Sequence, residues 1–312
     1  MKKSLLLLGV AVAAITSCTN DEVLDMNPQT AISFDGHVNK GTRAVIDTDG
    51  GLSTFYLIGG FTADAYNNVF NNIPVTKSSG SWSYGAAEVW TENMYYFGAY
   101  ADKNSSAKIS NVSLSNDATN GATLTFESVV TDDTKDLVAA VASQDGSTNK
   151  AQVDLTFNHL LSKIKFTLDN TDAKYKMTVG DIQVVVKDNA NCTYSKNGAE
   201  WGAPADDETL TFPGKADMTS VDDYVSTDHL VIPGQTTANI YAEFVVTFKD
   251  ADGNIVDTKN YTGTKKVSLG SATEWKAGYV YNYTAQLSAE TNEIKFGATV
   301  SPWLDATPAP GL

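Results

Sequence analysis

Apolar and polar residues alternate one for one along many short stretches of this chain, and clusters of Gly, Asn, Asp and Ser separate those stretches. A period of two marks a strand with one face turned inward, so the pattern predicts β-structure throughout. In the first half the predicted strands fall at 31–38, 53–61, 73–77, 81–84, 94–100, 122–128 and 137–142. In the second half they fall at 152–168, 181–187, 208–212, 229–232, 239–249, 255–261, 280–287 and 293–303. Helical periodicity is hard to find. Many short antiparallel strands of this kind imply β-sandwiches.

Two interruptions bear on organisation. Ser143 to Lys150, reading SQDGSTNK, has no large apolar residue and is the best candidate for a linker between two domains. Within 152–168 the apolar phase switches, with Val153, Leu155 and Phe157 on one phase and Ile164, Phe166 and Leu168 on the other. Strand period is two, so a switch of phase predicts a bulge or bend near Asn158 to Ser162. Asp250 to Asn254 lies between two clear strands and reads as a hairpin loop; an EF-hand would need Gly where Ile255 stands.

The N-terminus departs from the strand pattern. Lys2 and Lys3 precede an apolar run from Leu5 to Ala14, and Ile15-Thr16-Ser17-Cys18 follows before the chain turns polar. This is a secretory signal over residues 1–17 ending in a lipoprotein box, with Cys18 as the lipidated first residue. The apolar run is well short of the roughly 18 residues that span a bilayer. A lipid on Cys18 would therefore tether the chain to a membrane without a spanning helix. Asp21, Glu22 and Asp25 then give an acidic patch just after the cysteine, similar to the surface-export signals of Bacteroidetes lipoproteins.

Composition narrows the partners. Net charge is -15, and residues 1–43 contribute none of it, since Lys2, Lys3, Lys40 and Arg43 cancel Asp21, Glu22, Asp25 and Asp35. An acidic body of this kind repels nucleic acid, which needs clustered Lys and Arg. With Cys18 lipidated, Cys192 is left without a disulfide partner, so stability has to come from burial.

Catalytic chemistry is not legible. His37, His159 and His229 are the only histidines and none has ligand spacing with another, so no metal site is predicted. No nucleophile elbow, Walker loop or dinucleotide fingerprint occurs, and no cofactor or catalytic residue is assigned. Cys192 is expected in a polar loop, Asp188 to Ser195, without close basic neighbours. The carboxylate pairs Asp132-Asp133, Asp206-Asp207 and Asp222-Asp223 are expected in solvated loops. Aromatic residues concentrate at Trp82, Tyr84, Trp90, Tyr95, Tyr96 and Phe97, and again at Trp275, Tyr279, Tyr281 and Tyr283. Exposed, they would stack on sugars; buried, they would fill a core, which is the expectation for both groups.

Several stretches together resemble the fimbrillin family of Bacteroidetes, the lipoprotein precursors of type V pili. They are the lipobox at Cys18, Ile32-Ser33-Phe34 followed by Lys40-Gly41-Thr42-Arg43-Ala44, and the aromatic strand Tyr95 to Tyr100. Asp154-Leu155-Thr156-Phe157-Asn158-His159-Leu160-Leu161-Ser162-Lys163-Ile164 is the most specific, and Trp275-Lys276-Ala277-Gly278-Tyr279-Val280-Tyr281 completes the set. The resemblance implies an all-β chain of two tandem transthyretin-like antiparallel β-sandwich domains, over 44–148 and 149–312, after the signal peptide and a lipidated propeptide over 18–43. It implies a structural, non-enzymatic role and an arginine-specific protease that cuts between Arg43 and Ala44, releasing a strand. Its partners would be other fimbrial subunits, the outer membrane through the lipid on Cys18, and a host or glycan ligand.

The sequence also offers a donor strand near 293–303, in which Ile294, Phe296, Ala298 and Val300 alternate with polar or small residues and Pro302-Trp303 follow. Such a strand would either pair within its own domain or leave to complete a neighbour. The competing function is a surface glycan-binding lipoprotein, for which Trp82 and Trp90 would have to be exposed and near one another.

Overall fold

The computed structural model describes residues 30–38, 52–102, 109–132, 136–270, 272–291 and 293–303. Among these residues there is no α-helix, only strands and two single 3-10 turns, Thr237–Asn239 and Gly263–Lys265. In chain order the strands are β1 (Phe34–Val38), β2 (Thr54–Gly60), β3 (Phe70–Ser78), β4 (Ser81–Ser83), β5 (Met94–Asp102), β6 (Ile109–Asp117), β7 (Gly121–Val130) and β8 (Leu137–Asp145). There follow β9 (Val153–His159), β10 (Ser162–Asn170), β11 (Lys176–Val179), β12 (Ile182–Ser195), β13 (Gly198–Trp201), β14 (Ala205–Phe212) and β15 (Lys215–Met218). The last are β16 (Asp223–Val225), β17 (His229–Val231), β18 (Tyr241–Lys249), β19 (Ile255–Tyr261), β20 (Val267–Ser268), β21 (Tyr279–Leu287) and β22 (Gly297–Pro302).

They form three sheets. Sheet I runs β1-β9-β8-β5-β2-β3-β4; sheet II runs β15-β11-β18-β12-β7-β6, with β13 and β14 also on β12 and β19 and β20 on β18; sheet III runs β16-β10-β21-β22, with β17 also on β10. Pairing is antiparallel except for β1 with β9 and β10 with β21.

Burial divides the apolar residues into three cores. Phe55, Phe70, Phe97, Leu155 and Phe157 gather on one face of sheet I, which curves so that Gly36 of β1 comes beside Trp82 of β4. The other face of sheet I, with Ile58 and Tyr100, packs on Leu124 and Phe126 of β7 and Cys192 and Tyr194 of β12. Sheet III closes over the remainder of sheet II around Phe166, Phe212, Phe244, Tyr283 and Trp275. The middle strands of sheet I therefore read apolar on both phases: in β5, Tyr95, Phe97 and Ala99 face one core and Tyr100 the other. Gly98 lets these layers approach, since a Cβ there would fall 2.5 Å from Leu124 Cδ2.

Some expectations change. The stretch 152–168 is two strands in two sheets, and the phase switch marks the crossing at Leu160 and Leu161, both buried in the middle core, rather than a bulge in one strand. Ser143 to Lys150 is the end of β8 and the turn into β9, two strands of the same sheet. Turn and linker share one composition, and only the partner strands tell them apart. Asp188 to Ser195 is not a polar loop but the second half of β12, with Ala190, Cys192 and Tyr194 facing inward against β7. Asp206, Asp207 and Glu208 lie on β14, exposed, instead of in a loop.

Candidate functional site: an edge strand and a terminal strand

β1 is the outermost strand of sheet I; among the described residues Phe34 to Val38 pair with β9 alone, in parallel register from Phe34 beside Val153 to Val38 beside Phe157, and just before them Ala31 bridges to Val89. From Ile32 onward its alternate residues Ile32, Phe34, Gly36 and Val38 are buried, while Ser33, Asp35 and His37 are exposed. Phe34, 2% exposed, sits edge-on to Phe70 and Phe97 at 5.5 Å and to Tyr84 at 5.8 Å. Polar clamps hold the strand entry: Ile32 N–H donates to the Glu88 carbonyl at 2.8 Å, and the Tyr84 hydroxyl donates to the Ile32 carbonyl at 2.5 Å. Val153 N–H donates to the Ser33 carbonyl at 2.8 Å, and the Gln152 side-chain amide to the Phe34 carbonyl at 2.9 Å. β1 is thus a plug over an aromatic groove, tied to the chain that follows through residues 39–51. Cys18, Arg43 and Ala44, with the signal peptide 1–17, lie outside the described residues.

The predicted donor strand is at home in its own sheet here. β22 pairs antiparallel with β21, from Tyr279 beside Pro302 to Thr284 beside Gly297, and it is the edge of sheet III. Phe296 fills the core against Phe166, at 5.3 Å, and Ile294 is half-buried, whereas Val300 is 46% exposed. Trp303 ends the strand by turning back into the middle core. Its N–H donates to the Gly278 carbonyl at 2.7 Å, its ring stacks on His159 at 4.1 Å, and Lys163 Nζ lies 3.9 Å above it. A groove of about 1060 Å³ runs between β19 and β20 on one side and Glu293 to Phe296 on the other, so this segment forms a wall open to solvent.

His159 Nδ1 is 2.6 Å from Asp136 Oδ2, but Trp303 covers the ring. Among the described residues no group of three or more His, Cys, Asp or Glu could hold a metal ion. Cys192 is buried, and burial pushes its thiol up to about 12, away from thiolate chemistry. Among the described residues no helix is long and apolar enough to cross a membrane.

The aromatics pack. Trp90 is 3% exposed and edge-on to Tyr95 at 5.0 Å; Trp82 is half-buried against Phe55 at 4.9 Å. Trp275 donates through Nε1 to the Tyr283 hydroxyl at 2.8 Å inside the C-terminal core. Of the three tyrosines on one phase of β21, Tyr281 and Tyr283 are buried and Tyr279 is exposed.

The sequence model of the fimbrillin-like family matches residues 42–303. The chain belongs to that family. The family is one of fimbrial structural and adhesion proteins, not enzymes, in accord with the non-enzymatic reading. The chain is 28% identical over 194 residues to the fimbrium subunit Fim1C of Phocaeicola vulgatus, covering 53% of this chain and 50% of that protein, so the match spans about half the length of this curated relative. A crystal structure of a fimbrial protein from Bacteroides vulgatus has the same fold, with a TM-score of 0.60 at 18% identity over 80% of this chain and 92% of the other. A solved structure from Bacteroides ovatus gives a TM-score of 0.53 at 13% identity over 88% and 98%.

Proposed function

We propose that this chain is a structural subunit of a cell-surface fimbrium and contributes to adhesion. It is exported as a lipoprotein held at the outer membrane by the lipid on Cys18. An arginine-specific protease cuts after Arg43, and a strand from another fimbrial subunit replaces β1. The observation that carries this reading is the state of β1: an edge strand with every second side chain buried, joined to the rest of the fold through the segment that contains Arg43.

Energetics support replacement over simple loss. Burial of Ile32, Phe34 and Val38 is worth about 1.5–3 kcal/mol each. Leaving their places empty would cost an amount comparable with the whole stability of an ordinary domain, about 5–15 kcal/mol. The free edge of β9 would add unpaired backbone groups beside an apolar groove, which is a template for strand addition. A cut subunit is therefore driven to find a substitute strand. The glycan-binding alternative is disfavoured by the packing of Trp82 and Trp90.

The test is Arg43→Ala in the full chain, with surface polymers counted by electron microscopy. The variant is expected to remain as uncut, unpolymerised subunit; polymers at the level of the unaltered chain would refute the reading.

A further inference from the structure

One basic feature of this acidic chain takes no part in strand replacement. Lys259, Lys265, Lys266 and Lys295 line the groove between β19, β20 and the segment Glu293 to Phe296, against the carboxylates of Asp257 and Glu293 alone. Positive side chains therefore outnumber negative ones there, although the net charge of the chain is -15. Two of the lysines are already engaged. Lys259 Nζ donates to the Ala289 carbonyl at 2.7 Å and pairs with Asp257, and Lys266 Nζ lies 4.6 Å from the centre of the Tyr241 ring. Lys265 and Lys295 are exposed, one on each side of the groove, and among the described residues neither has an ion-pair partner.

β19 limits what the groove can hold. It is an edge strand of sheet II, and its inward phase turns Asp257, Lys259 and Tyr261 to the groove. Charged side chains turned inward on an edge strand oppose the addition of another strand. Val267 and Phe296 are buried beneath the lining, so a peptide would also find no apolar pocket for its side chains. Tyr261 packs on Phe244 at 5.0 Å and is 5% exposed, yet its hydroxyl is buried without a hydrogen-bond partner. Buried tyrosine hydroxyls ordinarily have one. Burial, and then the charge of Asp257, push its pKa up, so the hydroxyl keeps its proton and can donate. Next to it Asn260 accepts from the Thr262 N–H through Oδ1, which leaves its amide N–H groups to donate, and the Thr258 side chain is exposed.

We infer that this groove binds a carboxylated oligosaccharide, one that carries uronic or sialic acid units. Lys265 and Lys295 meet its carboxylates from either side, and the Tyr261 hydroxyl, the Asn260 amide and Thr258 meet sugar oxygens. A groove of about 1060 Å³ is large enough for several sugar units. Tyr261 and Phe296 offer no open ring face for stacking, so charge rather than an aromatic platform selects the sugar. A polyanion as dense as nucleic acid would leave the groove across an acidic body and is disfavoured. The site gives the adhesion proposed above a ligand class. It does not depend on strand replacement or on Trp82 and Trp90, because none of those residues lies in the groove.

The experiment is calorimetric titration of the full, uncut chain with a galacturonic acid tetramer, sialyllactose, a galactose tetramer and tetraglutamate. One of the two acidic sugars should bind at least tenfold more tightly than the galactose tetramer and than tetraglutamate, and more weakly as salt is raised. Which of them binds tells uronate from sialate. Lys265→Gln with Lys295→Gln should weaken that binding at least tenfold at an unchanged melting temperature. The control Lys150→Gln with Lys174→Gln, exposed and outside the groove, removes the same charge and should not. Tyr261→Phe keeps the ring on Phe244 and removes the unpartnered hydroxyl, so it should weaken binding without lowering the melting temperature. Binding of neither acidic sugar, equal affinity for the galactose tetramer or tetraglutamate, or an equal loss in the control pair would overturn the inference. None of these results bears on polymer formation, so the strand-replacement reading stands or falls separately.

Discussion

Phe34→Ala measures how firmly the plug sits before any cut. The ring is 2% exposed and meets three other rings edge-on, so its removal deletes a fully buried aromatic side chain and leaves a space the surrounding Phe70, Tyr84 and Phe97 cannot all fill. Phe→Ala at such sites costs about 3–5 kcal/mol. Among the described residues Phe34 to Val38 have one partner strand, β9, so the cost should appear as detachment of this strand rather than as unfolding of the molecule. At about 1.4 kcal/mol per factor of ten, a loss of about 4 kcal/mol raises the detached population roughly a thousandfold. Native-state hydrogen exchange reads it directly. The Val153 amide, which donates to the Ser33 carbonyl, should exchange about a thousandfold faster, while the amides between β10 and β21 keep their protection. Acceleration below tenfold at Val153, or equal acceleration in all three sheets, would refute the view of β1 as a separable plug.

Gly98→Val should lower stability by about 1–3 kcal/mol in denaturant titration, because the new side chain would enter the space of Leu124 and Leu114 between sheets I and II. Cys192 should resist alkylation in the native protein at pH values where an exposed thiol reacts, and react fully on unfolding. Its thiol is raised by burial, so the associated stability is fully present below the ordinary value of 9.0 and is lost as pH rises towards about 12; midpoints measured across that window should fall. Trp303→Ala removes the ring that rests on His159 and Lys163, and limited proteolysis should then cut the C-terminal strand faster while sheet I stays resistant.

The central strands were legible because one or both faces are buried and the period of two survives in their residues: β2, β5, β18 and β21 fall within or close to their predicted limits, whereas the single strand predicted over 152–168 is the two strands β9 and β10. β6 was not, since its nine residues, ISNVSLSND, bury only Leu114 and take their order from β7. The second half of β12 is spelled in Asp, Asn and Thr because Ser128 and Asp206 satisfy Asn189 from neighbouring strands, and those partners are distant in sequence. The middle core was missed for a related reason. Leu160, Leu161, Leu230 and Trp303 come from separate segments that meet only once the sheets are stacked. Of the candidate site, the alternation of 31–38 and of 293–303 is plain in the residues themselves. What the sequence did not reveal is that β1 pairs in parallel with β9 at an edge of sheet I, and that β22 leaves Val300 outside.

N-terminal sequencing of subunits recovered from surface polymers tests the central claim most directly. If β1 is given up on assembly, those subunits begin at Ala44 and the segment carrying Cys18 and β1 is absent from the polymer. Polymerised subunits that still begin at a lipidated Cys18 would contradict the account.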